Sequence, residues 1–177
     1  CGLLHRLDRD TSGVILFSKT RTVNAEIHRQ FTEKTIQKTY LALSLPTGRY
    51  PAFPFSVENH LGRISPKSAP AKWGAVTKDG DEAHTDFQLA GEKKELLLIK
   101  AFPRTGRTHQ IRVHLSGEHL PILGDTLYGG AAEFNNTPVP RVMLHAAELS
   151  FRHPVSGEQK TVSAPLPEDF ITIWEKL

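Results

Sequence analysis

The sequence predicts an α+β domain built on a mixed, mostly antiparallel central β-sheet flanked by helices. Strand-like and helix-like segments do not alternate regularly along it, which disfavours a doubly wound parallel sheet. Its apolar periodicity switches between two and nearly four, and the strand-like runs of the second half return on one another across short turn signals, as antiparallel hairpins do. At 177 residues the chain suits a single domain, 1–177, with a real core. A content of 38% hydrophobic and 23% charged residues excludes a disordered chain, and no apolar run is long enough for a membrane-spanning helix.

Gly13 to Ser18, GVILFS, is a short apolar run bounded by Thr11-Ser12-Gly13 and is predicted to be a buried strand. From Thr22 to Glu33 the residues Val23, Ile27 and Phe31 recur every four positions, predicting an amphipathic helix with Thr20 or Thr22 as its cap. Ile36 to Leu45 alternates as a strand, with Lys38, Tyr40 and Ala42 on one face and Thr39, Leu41 and Leu43 on the other. Residues 46–84 carry Pro46, Pro51, Pro54, Pro66 and Pro70 and are expected to be mostly loops and short edge strands. Thr85–Leu89 and Glu95–Phe102 flank the turn signal at 90–94, which predicts a hairpin. Thr108 to Leu115 reads as a helix burying Ile111 and Leu115, with Arg112 at the edge of that face and Gly117 as its stop. Val142–Phe151 is predicted to be a strand, and Lys160–Ala164 to return antiparallel to it after a turn at 153–157. Pro167 to Leu177 closes the chain as a helix packed through Phe170, Ile173, Trp174 and Leu177.

The formal charge is only +3, which alone does not identify a nucleic-acid partner, but the positive residues cluster. His5, Arg6 and Arg9 surround Asp8, and Arg104, Arg107, His109, Arg112 and His114 crowd one segment, which favours an anionic substrate, while solvated surface charges fit the same pattern equally. The single cysteine, Cys1, rules out an internal disulfide framework and points to a reducing compartment, with the cytoplasm as the default location. The chain opens on Cys1-Gly2-Leu3-Leu4 without an initiator Met, inside an apolar run, and so reads as a fragment.

Two constellations can carry chemistry. His5 to Gly13, HRLDRDTSG, packs two carboxylates, two guanidiniums and an imidazole into a loop before a strand; as structure alone, it is a salt-bridged turn with Asp10, Thr11 and Ser12 as caps. Thr105 to Leu115, TGRTHQIRVHL, places several donors on and before one helix, and the turn Thr105 to Thr108 ahead of it can hold a phosphate on backbone N–H groups and the helix dipole; as structure alone, it is a capped surface helix. Metal binding is disfavoured, because His109 and His114 diverge around a helix and Gly117 separates His114 from His119.

HRLDRDTSG, KTYLAL, TGRTHQIRVHL, ILGDTLYG and LHAAELSFRHP stand in the order of the motifs of the RluA-type RNA pseudouridine synthases, and the chain resembles that family over nearly its whole length apart from residues 46–80. The resemblance implies the pseudouridine synthase catalytic fold, with Asp8 matching the catalytic aspartate, Tyr40 the active-site tyrosine and Arg112 the arginine that pairs with the aspartate. It implies site-specific isomerisation of uridine to pseudouridine in structured rRNA or tRNA, with base flipping and without a cofactor; the residues themselves point to no metal site, no membrane span and no obligatory protein partner. Arg6, Arg9, Arg104, Arg107 and His109 are the candidates for RNA contacts. The family normally begins with a Lys-Pro segment ahead of the HRLD motif, so at least one strand of its sheet is expected to be missing. The competing readings are a non-catalytic RNA-binding module using the same basic cleft and, with less support, a metal-dependent hydrolase built on the histidines.

Overall fold

The computed structural model describes residues 2–175; Cys1 and Leu177, the latter expected on the last helix's packing stripe, lie outside the described residues. Three two-residue strands come first, β1 (Gly2–Leu3), β2 (Ser12–Gly13) and β3 (Phe17–Ser18). Helix α1 (Asn24–Thr32) follows, then β4 (Gln37–Ser44), β5 (Phe55–Arg63), β6 (Trp73–Ala75), β7 (Asp81–Lys93) and β8 (Leu96–Pro103). Helix α2 (Gln110–Gly117), the small β9 (Glu133–Phe134) and β10 (Thr137–Pro138), β11 (Leu144–Arg152), β12 (Gln159–Ser163) and α3 (Glu168–Glu175) complete the order.

The main sheet runs β12-β11-β4-β8-β7-β5-β6, with every pair along that path antiparallel, and β2 joins it by pairing parallel to β11. This is the mixed, mostly antiparallel α+β architecture expected from the residue pattern. Tyr40 of β4 stands between Ala146 of β11 and Ala101 of β8, so small neighbours flank it on both sides. The larger apolar cluster joins Leu43, Phe87, Leu97 and Ile99 of the sheet to Ile111 and Leu115 of α2 and Phe170 and Ile173 of α3. A second cluster packs Ile27 of α1 against Leu4, Ile36, Leu149 and Phe151.

Several local expectations are corrected. The run Gly13–Ser18 is not one buried strand: it splits between β2 and β3, and Ile15 and Phe17 are exposed. Neither Thr20 nor Thr22 caps α1; their hydroxyls bond each other at 3.1 Å, and a 3-10 turn, Arg21–Val23, leads into the helix. Residues 46–84 contain a nine-residue strand one place in from the sheet edge, because the prolines flank β5 without interrupting it. In β5 the alternation of Phe55, Val57, Asn59 and Leu61 with exposed residues is that of a half-buried strand, obscured in the sequence by polar Asn59. The predicted turn at 90–94 lies mostly within β7, where a bulge at Leu89/Gly91 absorbs the irregularity and the turn falls at Lys94, φ +52°. Gly117 ends α2 from inside it, and its backbone has ordinary φ.

At Gly13 the chain approaches the backbone of its own sheet closely. Its φ is +119°, and a Cβ built there would lie 2.1 Å from the Ala146 carbonyl oxygen, which accepts the Val14 N–H at 2.8 Å. Only glycine fits both the torsion and the contact. Gly13→Ala is expected to destabilise the fold by about 2–4 kcal/mol, read as a lowered urea midpoint, because backbone strain and a backbone clash add at one position; an unchanged midpoint would contradict this account of the parallel pairing.

Candidate active site

Asp8 lies on the loop between β1 and β2, and the loop is tied on both sides. The Thr11 N–H donates to the Asp8 carbonyl at 3.0 Å, and Arg141 Nη1 donates to the Asp10 carbonyl at 3.2 Å. His5 Nε2 accepts the Leu16 N–H at 2.9 Å, and its pKa is lowered by burial and by the nearby Lys38 charge, so the imidazole serves as a neutral acceptor. Downstream, Ser12 Oγ and His145 Nδ1 are 2.9 Å apart while His145 Nε2 faces the Ala164 carbonyl at 3.2 Å. A carbonyl accepts only, so the ring proton sits on Nε2 and the Ser12 hydroxyl donates to Nδ1.

The loop forms one wall of a cleft of about 240 Å³ that Lys38 and Tyr40 of β4, Pro103, the loop 105–108, and Gln110 and Ile111 of α2 complete. Lys38 and Tyr40 share a strand face, so both reach it. Burial, and after it the Asp8 charge, pushes the Tyr40 phenol up to about 12, which keeps it neutral at physiological pH. Burial pulls the Lys38 ammonium down to about 8, and its Nζ donates to the Thr105 carbonyl at 3.0 Å. The cleft therefore loses a positive charge as pH rises through about 8.

Arg112 is buried on α2 beside Asp8, but Asp8 is not its main partner. Its Nε and Nη2 donate to Asp125 Oδ2 and Oδ1 at 2.7 and 2.8 Å, and its Nη1 stands 3.8 Å from Asp8 Oδ2. The fork geometry of a guanidinium explains the division: two donors saturate one carboxylate, and Nη1 remains for the second. Burial alone would lower the arginine's pKa, but the hydrogen bonds and charge of Asp125, with a further pull from Asp8, hold it above the ordinary value. Asp125 is 1% exposed and is positioned by the turn that follows Gly124, whose φ is +82°. The same turn brings Tyr128 under the arginine, with the guanidinium carbon 4.9 Å from the ring centroid.

A directed chain of buried hydrogen bonds fixes the cleft wall. The His84 N–H donates to Thr105 Oγ1 at 3.0 Å, and the Thr105 hydroxyl donates to Gln110 Oε1 at 2.7 Å. Gln110 Nε2 donates to the His84 carbonyl and to Thr85 Oγ1, and Thr85 in turn bonds His114 Nδ1 at 2.9 Å. His114 Nε2 then faces Asn59 Oδ1 at 3.1 Å, and burial, with His84 nearby, pulls His114 down to about 4. The histidine is neutral, and every bond in the chain has a donor and an acceptor.

Of the residues expected at the site, Asp8, Tyr40, Arg6 and Arg107 line the cleft, and Arg112 stands behind Asp8. Like Arg112, the other three do not line it. Arg9 is exposed away from it, Arg104 is drawn onto Asp86 at 2.6 Å, and His109 turns its Nδ1 to the Tyr128 hydroxyl at 2.8 Å. The Arg107 N–H, expected to be free for a phosphate, is held by Gln110 Oε1 at 3.0 Å. The pairing of His109 with Tyr128 and of His114 with Thr85 and Asn59 also separates two histidines offered for a metal. Asp125, Tyr128, Lys38 and Gln110 had no assigned role; the signal for the first two was the ILGDTLYG segment, with one acid and one aromatic beside turn glycines.

Comparison with known proteins identifies the family. The family model for RNA pseudouridylate synthase matches residues 1–117. Ribosomal large subunit pseudouridine synthase C of Buchnera aphidicola is 38% identical over 172 residues, covering 95% of this chain and 54% of its own length. Ribosomal large subunit pseudouridine synthase D of Vibrio parahaemolyticus is 36% identical over 186 residues, 99% of this chain and 55% of its own. The structure of human RNA Pseudouridylate Synthase Domain Containing 1 superposes with a TM-score of 0.75 at 29% identity, covering 94% of this chain and 69% of that one. The chain thus spans about half the length of the curated relatives it matches. The family model over residues 1–117 and the identity to these relatives show that the chain belongs to the RNA pseudouridylate synthase family.

Proposed function

We propose that this chain acts as one catalytic domain that isomerises specific uridines to pseudouridine in structured RNA, with Asp8 as the essential carboxylate. The observation that carries the reading is that Asp8 and Tyr40 line the same cleft of about 240 Å³, with Arg112 Nη1 3.8 Å from the Asp8 carboxylate. In the reaction the bond from uracil N1 to C1′ breaks, the base turns, C5 joins C1′, the C5 hydrogen leaves as a proton and N1 gains one. Nothing is oxidised or reduced, so the proposed chemistry needs no cofactor. Asp8 serves as a nucleophile toward the sugar or the ring, or as the counter-charge to a cationic sugar, and both routes require it ionised and aimed.

Arg112, immobilised by Asp125 and Tyr128, supplies that aim and a stabilising charge without drifting into the space the base needs. Tyr40, neutral at working pH, stacks on the uracil plane; base stacking of this kind is worth about 1–3 kcal/mol. The target uridine must leave its stack to reach Asp8, at a cost of roughly a few kcal/mol. Arg6, Arg107 and Lys38 offset it by meeting phosphates at the cleft, with Arg9 beyond the rim. Large-subunit ribosomal RNA is the first substrate to test, because the curated relatives carry that molecule in their names; transfer RNA is the second. Among the described residues no helix is long and apolar enough to cross a membrane, and a cytoplasmic location accompanies the proposal.

Three outcomes are expected. With RNA tritiated at uracil C5, the wild type releases tritium to water and Asp8→Asn releases none while still binding RNA; turnover by Asp8→Asn would sink the assignment, and binding without turnover by the wild type would favour a binding module. Asp125→Asn leaves Arg112 buried without its partner charge, lowering stability by about 3–5 kcal/mol in urea denaturation and kcat by roughly tenfold or more with little change in KM, since about 1.4 kcal/mol of lost transition-state stabilisation is tenfold in rate. Tyr40→Phe keeps RNA affinity within about twofold, whereas Tyr40→Ala weakens it by roughly tenfold in filter binding, consistent with stacking of about 1–3 kcal/mol; equal losses in both would point to the hydroxyl instead.

A further inference from the structure

A second cavity, of about 460 Å³, opens beside the C-terminal half of α2, where Val113 and Gly117 line it. Its other wall comes from β5 and β6. Val57 and Asn59 share one face of β5, and in the β5–β6 register Leu61 pairs with Ala75 and Arg63 with Trp73, so Trp73 and Ala75 present the same face. We propose that this cavity is a subsite for a nucleobase of the RNA neighbouring the nucleotide that enters the Asp8 cleft; it rests on the reading of the chain as an RNA-modifying enzyme.

Four features fit a base. Trp73 and Ala75 on the sheet wall and Val113 on the helix wall supply apolar surface on which any base stacks. Asn59 spends its Oδ1 on His114, leaving its amide N–H₂ without an acceptor among the described residues and available to a base carbonyl. The Lys72 ammonium, 5.7 Å from the Tyr128 ring centroid, stands at the cavity with a charge suited to the phosphate that a base brings with it. Gly117 and Gly129 line the space with bare backbone, and a Cβ on either would meet nothing within 4 Å, so the protein leaves the volume unfilled.

The cavity also adjoins the Asp8 site through one side chain. Tyr128 lines it, accepts the Trp73 N–H on its hydroxyl at 3.0 Å, and carries Arg112 over its ring at 4.9 Å. A base seated against Trp73 and one seated against Tyr40 would therefore lie on either side of the Arg112–Tyr128 stack, an arrangement that positions the target through its neighbour. The amide of Asn59 is itself oriented by the Gln110–Thr85–His114 chain, whose other end forms the wall of the Asp8 cleft.

The test uses the full chain in a Trp174→Phe background, which leaves Trp73 as the sole tryptophan. A large-subunit ribosomal RNA transcript tritiated at uracil C5 is expected to quench Trp73 emission. Gly117→Leu, whose side chain extends into open space from ordinary backbone, is expected to abolish the quench and raise the RNA Kd by about tenfold, corresponding to about 1.4 kcal/mol, with an unchanged melting temperature showing that the fold survives. Trp73→Phe should retain affinity within about threefold, and Trp73→Ala should not, as stacking energies of this size require. No quench on RNA addition, or a quench and Kd unaffected by Gly117→Leu, overturns the subsite. Loss of tritium release with the quench and its Gly117→Leu sensitivity intact supports the subsite while overturning the proposed reaction, so the two failures are distinct.

Discussion

Arg112 and Asp125 bury opposite charges against each other, and neither is tolerable there alone. Removing ions from water costs several kcal/mol each, and only close, bidentate geometry with satisfied hydrogen bonds offsets that cost. The 2.7 and 2.8 Å contacts meet the requirement and in doing so fix α2 against the turn after Gly124. Two consequences follow from that clamp: Tyr128 is carried beneath the guanidinium, and Nη1 is left facing Asp8. The pair thus decides where the proposed catalytic carboxylate meets its positive charge, although Asp125 itself does not line the cleft.

The surroundings of the pair are arranged to keep the remaining groups in single protonation states. Tyr40 is held neutral by burial and by Asp8, His114 is neutral through burial, and His145 has its tautomer set by a carbonyl. Lys38 is the exception, a cleft amine with its pKa drawn down to about 8. Because the interior hydrogen bonds run in one direction from Thr105 to Asn59, the wall of the cleft and the wall of the second cavity belong to one network. Rearranging such a network costs more than moving one side chain, since a partly satisfied buried chain leaves an unpaired group behind. A wall that does not relax is what a site needs in order to hold a flipped base in a fixed orientation.

The sequence carried the elements whose burial follows a simple period. The alternation at 36–45 placed Lys38 and Tyr40 on one face, and the every-fourth-residue pattern of Val23, Ile27 and Phe31 located α1. It failed at β5, where a polar residue occupies an inward position and prolines crowd the flanks, and at GVILFS, where an apolar run splits into two short pairings and leaves Ile15 and Phe17 exposed. In both places composition misleads because the deciding fact is a partner distant in sequence: His114 for Asn59, and Ala146 for Gly13.

The cleft shows the same division. Element order and apolar periodicity by themselves determined the α+β class, and motif order the family and the set of polar residues from which a site is made, because those depend on residue identity and local spacing. Only the tertiary structure decided how those charges pair. Arg112 is bidentate to Asp125 and not to Asp8, Arg104 is taken by Asp86, and His109 is turned to Tyr128. An ion pair or hydrogen bond is chosen by distance, burial and angle among every candidate the fold brings near. Residues 13 positions apart in the chain, as Arg112 and Asp125 are, carry no local signal of that choice.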